Sequence, residues 1–241
     1  MLLRLPTSVS EAQTCLAEGA VPIGGATLVW ATWQRDGFPE QAMSLRELPE
    51  ANVLGRQTVG GAVVLHRIDD RVPDVLRLAA AMVGTGAVRR TATVGGNLVG
   101  STLRCLLPAA LVLDARATVL ESDGLQETDM AELVAKRPVL VSLRWRTPLA
   151  SSYRKLAGET GGPPPLVVAS AVHADNSGNR LRVAVRDGHE VLSGSVRCTT
   201  ATDAEETLHS LSETALGDLP ASAWHAVHAQ VTGLLGDHST E

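Results

Sequence analysis

Two glycine pairs fix where this chain must turn sharply or let other backbone come close. Gly24-Gly25 stands in PIGGATLVW (22–30), and Gly95-Gly96 stands in TATVGGNLVGS (91–101). Hydroxyl and amide side chains flank them: Thr27 beside the first pair, Thr93 and Asn97 beside the second. Glycine has no Cβ, so backbone N–H groups can converge on an anion there without a clash. A helix that begins just after the turn adds its positive end. Two readings follow from the residues alone. The pairs are two tight turns, or they are two halves of one anion cradle, and two such loops suit the two phosphates of a dinucleotide. Neither is a Walker loop, since no Gly-Lys-Ser/Thr occurs, and neither follows the Rossmann GxGxxG spacing.

Composition narrows the function classes. The chain has 241 residues, 44% hydrophobic and 20% charged, which suits a globular protein of one large domain or two to three small ones. The net charge of −5 disfavours a nucleic-acid surface. Four Trp, one Tyr and one Phe leave no aromatic platform for stacking bases, and a core of Val, Leu and Ala is expected. No apolar run reaches the ~18 residues of a membrane span, and MLLRLPTSVSEAQ lacks the features of a signal peptide. Cys15, Cys105 and Cys198 are far apart and odd in number, which reads as reduced thiols in a cytoplasmic protein. Without CxxC, no iron–sulfur cluster or structural zinc of its own is expected. His225, His228 and His238 lack a carboxylate at a fitting spacing, so they read as a solvated helix face.

The pattern predicts a helix after the capping box Ser8–Glu11, ended by Gly19, then a strand at AVPI and a short helix at LVWATWQR. Trp30 and Trp33, three apart, read as one packed face of that helix. Brief strands are expected at 43–45, 52–54 and 58–65, a helix over 72–84, a strand into a turn over 91–96, and an apolar segment running into a strand over 106–122. Further strands are expected at 137–145, 165–174 and 180–188, with a hairpin at Asn176–Gly178. Two tail helices begin near 202 and 221, and GETGGPPP (158–165) reads as a mobile loop. Strands and helices do not alternate regularly, which favours α+β.

The order and separation of VPIGGATLV (21–29), VRRTATVGGNL (88–98) and LPAALVLDARATVL (107–120) resemble the flavin-binding subunit or domain of the xanthine dehydrogenase and carbon monoxide dehydrogenase family of molybdenum hydroxylases. The resemblance runs from the first helix to about residue 235. It implies an α+β fold with two FAD-binding subdomains, 1–55 and 56–150, and a C-terminal subdomain of a small antiparallel sheet and helices, 151–241. It implies FAD as cofactor. Ile23, Gly24, Gly25, Ala26, Thr27 and Leu28 would form the first half of a pyrophosphate clamp, and Thr93, Gly95, Gly96 and Asn97 the second. Leu140 matches a position that packs on the flavin, Lys155 lies near a basic position close to it, and Cys105 stands at a cofactor-contacting position. The expected role is an electron relay between partner molybdenum and iron–sulfur subunits and NAD or another acceptor, with no catalytic acid or base assigned; a homo-oligomer is also compatible.

The chain departs from the family pattern at several points. Ala26 replaces glycine or a small polar residue at a turn expected to need positive φ, and Leu28 replaces an acidic residue. Arg104 and Cys105 stand where the family has Ser-Asp, whose carboxylate helps hold FAD. Aromatic residues around the flavin are scarce, and the tail is short. These departures support an alternative from another class: a stand-alone enzyme of small-molecule biosynthesis that re-uses the pocket as a flavin-dependent oxidase or a cyclase-like catalyst, with or without FAD.

Overall fold

The computed structural model describes residues 1–158, 161–176, 178–198 and 204–236. In chain order the elements are β1 (Leu2–Arg4), α1 (Val9–Ala17), β2 (Val21–Pro22), α2 (Val29–Asp36), β3 (Gln41–Met43), β4 (Leu54–Gly55), β5 (Thr58–Gly60), α3 (Asp74–Ala81), α4 (Gly86–Arg89) and α5 (Leu107–Val112). They continue with β6 (Arg116–Glu121), β7 (Gly124–Thr128), α6 (Met130–Lys136), β8 (Val139–Arg144), β9 (Ala150–Lys155), β10 (Val167–Asp175), β11 (Gly178–Asp187), β12 (Glu190–Cys198), α7 (Ala204–Ser212) and α8 (Ala221–Gly236). The fold is α+β, as expected. It divides into two compact units: residues 1–72, 80–106 and 115–145 form the first, and 73–79, 107–114 and 146–241 the second.

The first unit carries two sheets. One is parallel, in the order β1-β3-β2; the other is antiparallel, in the order β4-β5-β8-β6-β7. α1 starts where Ser8 Oγ accepts from the Glu11 N–H at 3.3 Å. The Glu11 carboxylate accepts chiefly from the Thr7 N–H and hydroxyl at 2.7 and 2.9 Å, one residue earlier than a capping box requires, with the Ser8 N–H as a weaker donor; together they hold its pKa below the usual carboxylate value. Gly19 ends the helix at φ 83°. Ala12 and Cys15 on the inner face pack with Met43, Leu48, Leu120 and Val141, so α1 covers side chains from both sheets.

The second unit is a four-stranded antiparallel sheet, β12-β11-β10-β9. Strand alternation sorts its two faces. Val168, Val172, Leu181, Val183, Val185 and Val196 form a core with Leu208 and Leu211 of α7 and with Val227 and Val231 of α8. Gln230 closes that face, its Nε2 donating to Ser152 O, Val168 O and Ser170 Oγ. The other face carries Ala169, Ala171 and Ala184, all fully buried, and these small side chains admit α5.

His173 Nε2 lies 2.8 Å from Val112 O on this second face. Burial first, and then Arg182 and Arg146, push its pKa below the ordinary 6.5, against the Val112 hydrogen bond and Asp114, which raise it. A depressed imidazole pKa favours the neutral form in the folded state. Its contribution is fully present above the unfolded value and is lost as pH falls through 6.5 toward the folded value. The unfolding midpoint of the protein is therefore expected to drop between pH 7 and 5, and His173→Gln should flatten that dependence. An equally steep profile in the variant would exclude His173 as the cause.

Several sequence expectations shift. The strand expected over 43–45 lies at Gln41–Met43, and Leu45–Glu47 is a short 3-10 turn. The strands expected over 52–54 and 58–65 reduce to Leu54–Gly55 and Thr58–Gly60, plus an isolated bridge from Val64 to Thr93. Residues 91–96 are not a strand into a turn: Thr93 makes the bridge, and the chain turns helical at Val94 and stays so to Gly100. The segment from 106 begins as helix α5 before strand β6. α2 forms where expected, but it buries no residue, so Trp30 and Trp33 do not form a packed core face. They edge onto Phe38 instead, with ring centroids 5.3 and 6.1 Å apart. β10 and β11 pair as a hairpin, with Asp175 opposite Gly178. Ser177, the centre of that turn, lies outside the described residues, as do Glu159 and Thr160 of the expected loop and the expected start of the first tail helix. Among the described residues, no helix is long and apolar enough to cross a membrane.

Candidate functional site

The first glycine loop leaves the parallel sheet anchored at both ends. The Ile23 N–H donates to Met43 O at 2.8 Å, and three residues on Ala26 O accepts from Trp30 N–H at 3.0 Å to begin α2. Ala26 holds φ 54°, the left-handed conformation expected of it, while Leu28 is right-handed at φ −105° and ψ −44°. Mixing the two hands turns successive N–H groups toward one side. The N–H groups of Gly24, Gly25, Ala26, Thr27 and Leu28 donate to no acceptor among the described residues. Leu28, at the N-cap, has no side chain that can satisfy them. Thr27 adds an exposed hydroxyl. Five open amides at the start of a helix make a site for a negatively charged group.

A left-handed alanine costs about 1 kcal/mol, and removing its Cβ costs about 0.4–1 kcal/mol through the freer unfolded chain. Ala26→Gly is thus expected to leave stability within about 0.5 kcal/mol, whereas branched Ala26→Val should lose about 2 kcal/mol or more. Chemical denaturation midpoints of the two variants check this.

The second loop is built differently. Val94, Gly95, Gly96 and Asn97 all spend their N–H groups inside the protein, on Val63 O, Gly61 O, Thr93 Oγ1 and Thr93 O at 3.0, 2.8, 3.1 and 2.9 Å. Thr93, 7% exposed, therefore caps the helical run that begins at Val94 and continues to Gly100. Asn97 points inward, and its Oδ1 accepts from the buried Leu106 N–H at 2.9 Å, closing the loop that carries Arg104 and Cys105.

The two loops touch. A Cβ on Gly24 would lie 2.3 Å from Thr93 Oγ1, and one on Gly25 would lie 1.7 Å from Thr91 O. The first glycine pair is thus required by the second loop itself, a reason the sequence reading did not contain. A third glycine pair, Gly60-Gly61, belongs to the same arrangement. The tetrapeptide TVGG occurs twice, at 58–61 and 93–96. The copies meet where Gly95 N–H donates to Gly61 O, and a Cβ on Gly61 would sit 2.1 Å from Leu140 O. That duplication was the available signal.

The remaining predicted residues are dispersed. Leu140 is 4% exposed in β8, and its carbonyl buttresses Gly61. Cys105 is half-buried beside Leu106. Lys155 lies in the second unit at the end of β9, where it lines a cavity of about 430 Å³ with Arg154, Ser222 and His225. Arg104, read from the sequence only as a departure, has φ 41° and a buried Nε without a hydrogen-bond partner. Among the described residues, no three His, Cys, Asp or Glu side chains are placed to hold a metal ion. His228 Nε2 lies 3.1 Å from Glu205 Oε1 on the surface, and His238 lies outside the described residues.

A comparison with curated protein sequences finds no match. Among solved structures, the chain is similar to quinoline 2-oxidoreductase from Pseudomonas putida 86, at 19% identity and a TM-score of 0.75, covering 100% of this chain and 98% of that one. It is similar to reconstituted CO dehydrogenase from Oligotropha carboxidovorans, at 17% identity and a TM-score of 0.71, covering 98% and 96%. It is also similar to carbon monoxide dehydrogenase from Hydrogenophaga pseudoflava lacking the Mo-pyranopterin moiety, at 18% identity and a TM-score of 0.70, again covering 98% and 96%. At these identities the likeness speaks for the fold. The family model "FAD binding domain in molybdopterin dehydrogenase" matches residues 3–143, more than half of the chain and the stretch that holds both glycine loops. The protein is therefore a member of the FAD-binding family of molybdopterin dehydrogenases, with FAD as its cofactor.

Proposed function

We propose that this chain is the flavin subunit of a multi-subunit oxidoreductase and relays electrons between partner molybdenum and iron–sulfur subunits and an acceptor such as NAD. The observation that carries this reading is the row of five open amides from Gly24 to Leu28, fixed in place by contact with Thr91 and Thr93. The residues fit the cofactor: the amides and the Thr27 hydroxyl offer donors suited to a pyrophosphate, and Arg104 offers a buried donor that lacks an acceptor. When bound, FAD supplies hydride and one-electron transfer chemistry. The chain's own part is to bind and orient it. Ile23 anchors the first loop, Thr91 and Thr93 brace it, Gly95, Gly96 and Asn97 form the helical turn that holds Thr93, and Leu140 packs against Gly61 behind that turn. Cys105 and Lys155 belong to the proposed contacts with the rest of the cofactor. The three subdomains 1–55, 56–150 and 151–241 are part of the same proposal, as is a cytoplasmic location. One sheet falls within each subdomain, β4 and the first residue of β9 excepted.

Uptake of FAD by the purified chain, followed by the visible flavin bands and the stoichiometry after gel filtration, tests cofactor binding. Co-purification of molybdenum- and iron–sulfur-containing subunits tests the relay. A chain that takes up no FAD would sink the reading. A flavin-loaded chain without such partners would favour a stand-alone enzyme, the second reading, for which the specific observation is Arg104 and Cys105 in place of a carboxylate.

A further inference from the structure

Arg104 is held in an arrangement that an unliganded protein gains nothing from. Its backbone adopts φ 41°, in the left-handed region that side chains other than glycine avoid. Its Nε is buried and donates to nothing, although buried donors are ordinarily satisfied. No carboxylate pairs with it among the described residues. The charge that acts on it is another cation, Arg137, itself at φ 53° where it closes α6. Burial, and then Arg137, push the Arg104 guanidinium below its ordinary pKa. The segment is not loose: Asn97 Oδ1 holds the Leu106 N–H two residues away, and the helical turn Gly96–Gly100 packs on α6. Strain, an orphaned donor and like-charge repulsion at one ordered residue are the marks of a site whose counter-charge arrives with a ligand.

We propose that Arg104, with Arg137 beside it, binds a phosphate-class anion. A guanidinium presents a fork of donors matched to phosphate oxygens, which explains why an arginine rather than a lysine or a neutral side chain occupies the position. Naming the pyrophosphate of FAD as the occupant rests on the function proposed above; the anion site itself does not. A free phosphate or diphosphate is the other source of the same chemistry.

The test uses the full chain as wild type, Arg104→Gln, Arg104→Lys and Arg104→Gly, the last chosen because glycine accepts φ 41°. Three quantities are read: the melting temperature of the ligand-free protein, its shift on adding sodium diphosphate against sodium chloride of equal ionic strength, and the affinities for FAD and for riboflavin, which lacks phosphate. The expected result is that Arg104→Gln and Arg104→Gly melt no lower than wild type. Both should lose the diphosphate shift and bind FAD about 10–100-fold more weakly, with riboflavin affinity unchanged and Arg104→Lys intermediate. If wild type takes up no FAD but shows an Arg104-dependent diphosphate shift, the anion site stands and the flavin reading fails. If the glutamine and glycine variants melt lower than wild type, or keep the diphosphate shift, Arg104 is a structural residue and the proposal is overturned.

Discussion

Gly25→Ala is expected to cost about 3–5 kcal/mol and to abolish FAD uptake. The added Cβ would lie 1.7 Å from Thr91 O, 2.3 Å from Thr91 C and 2.9 Å from Ala92 N. All three are backbone atoms, so no rotamer change removes the overlap, and the two loops must separate. That separation moves the open amides from Gly24 to Leu28 away from the brace that aims them. At roughly 2–4 °C per kcal/mol for a chain of this size, the melting temperature should fall by about 6–20 °C. Gly100→Ala supplies the control, since nothing lies within 4 Å of a Cβ there. It should stay within about 0.5 kcal/mol of wild type. Thermal unfolding of the two variants side by side decides the matter: equal melting temperatures would mean that the loop contact is not required. Gly24→Ala is milder in kind, because its obstacle is the Thr93 side chain, with Oγ1 at 2.3 Å.

The second large effect is expected at Asn97. Its Oδ1 accepts from a buried backbone N–H, that of Leu106, at 2.9 Å. Asn97→Ala removes the acceptor and leaves the donor without water or partner, at a cost of about 1–3 kcal/mol for the orphaned group and somewhat more for the space left behind. Because this bond closes residues 98–105, the loss should fall on the segment that carries Arg104 and Cys105. Hydrogen exchange gives the specific readout: the Leu106 amide should exchange faster by a factor of about 10 or more, while the amides of β10 and β11 keep their wild-type ranking. Unaltered exchange at Leu106 would show that another group takes over as acceptor.

How far these residues could be read from sequence depended on whether their partners were local. The capping box at Ser8, the glycine stop at Gly19 and the hairpin before Gly178 are short-range signals, and each marks an element end that forms. The same kind of signal at Asp129, whose side chain accepts from the Glu132 N–H at 2.8 Å, was present and passed over, and α6 was missed with it. β9 and β12 were missed because ASSYRK and EVLSGSVRC are too polar to read as apolar runs; their pairing with β10 and β11 decides them. The glycine pairs advertised a special backbone, and the family resemblance named its use. The pairs did not reveal that Gly25 faces Thr91, or that Gly95 and Gly96 lie within a helical turn. Glycine reads locally as a breaker, and here Thr93 and Gly61 override that reading with hydrogen bonds. Arg104 showed only as a missing carboxylate, since its strain and its orphaned Nε exist only in three dimensions.

The aromatic cluster at α2 makes the protein its own optical probe. Two of the four tryptophans, Trp30 and Trp33, sit within two helical turns of the open amides, in a helix that buries no residue. Trp145 is buried, with its indole N–H on Arg56 O, and Trp224 is half-buried on α8. Emission from the exposed Trp30 should therefore be red-shifted and open to a soluble quencher, and emission from both Trp30 and the half-buried Trp33 should be damped by energy transfer when a flavin occupies the neighbouring loop. Emission from the other two should report the folded state of their surroundings. Occupancy and unfolding can then be followed in a single titration without a label.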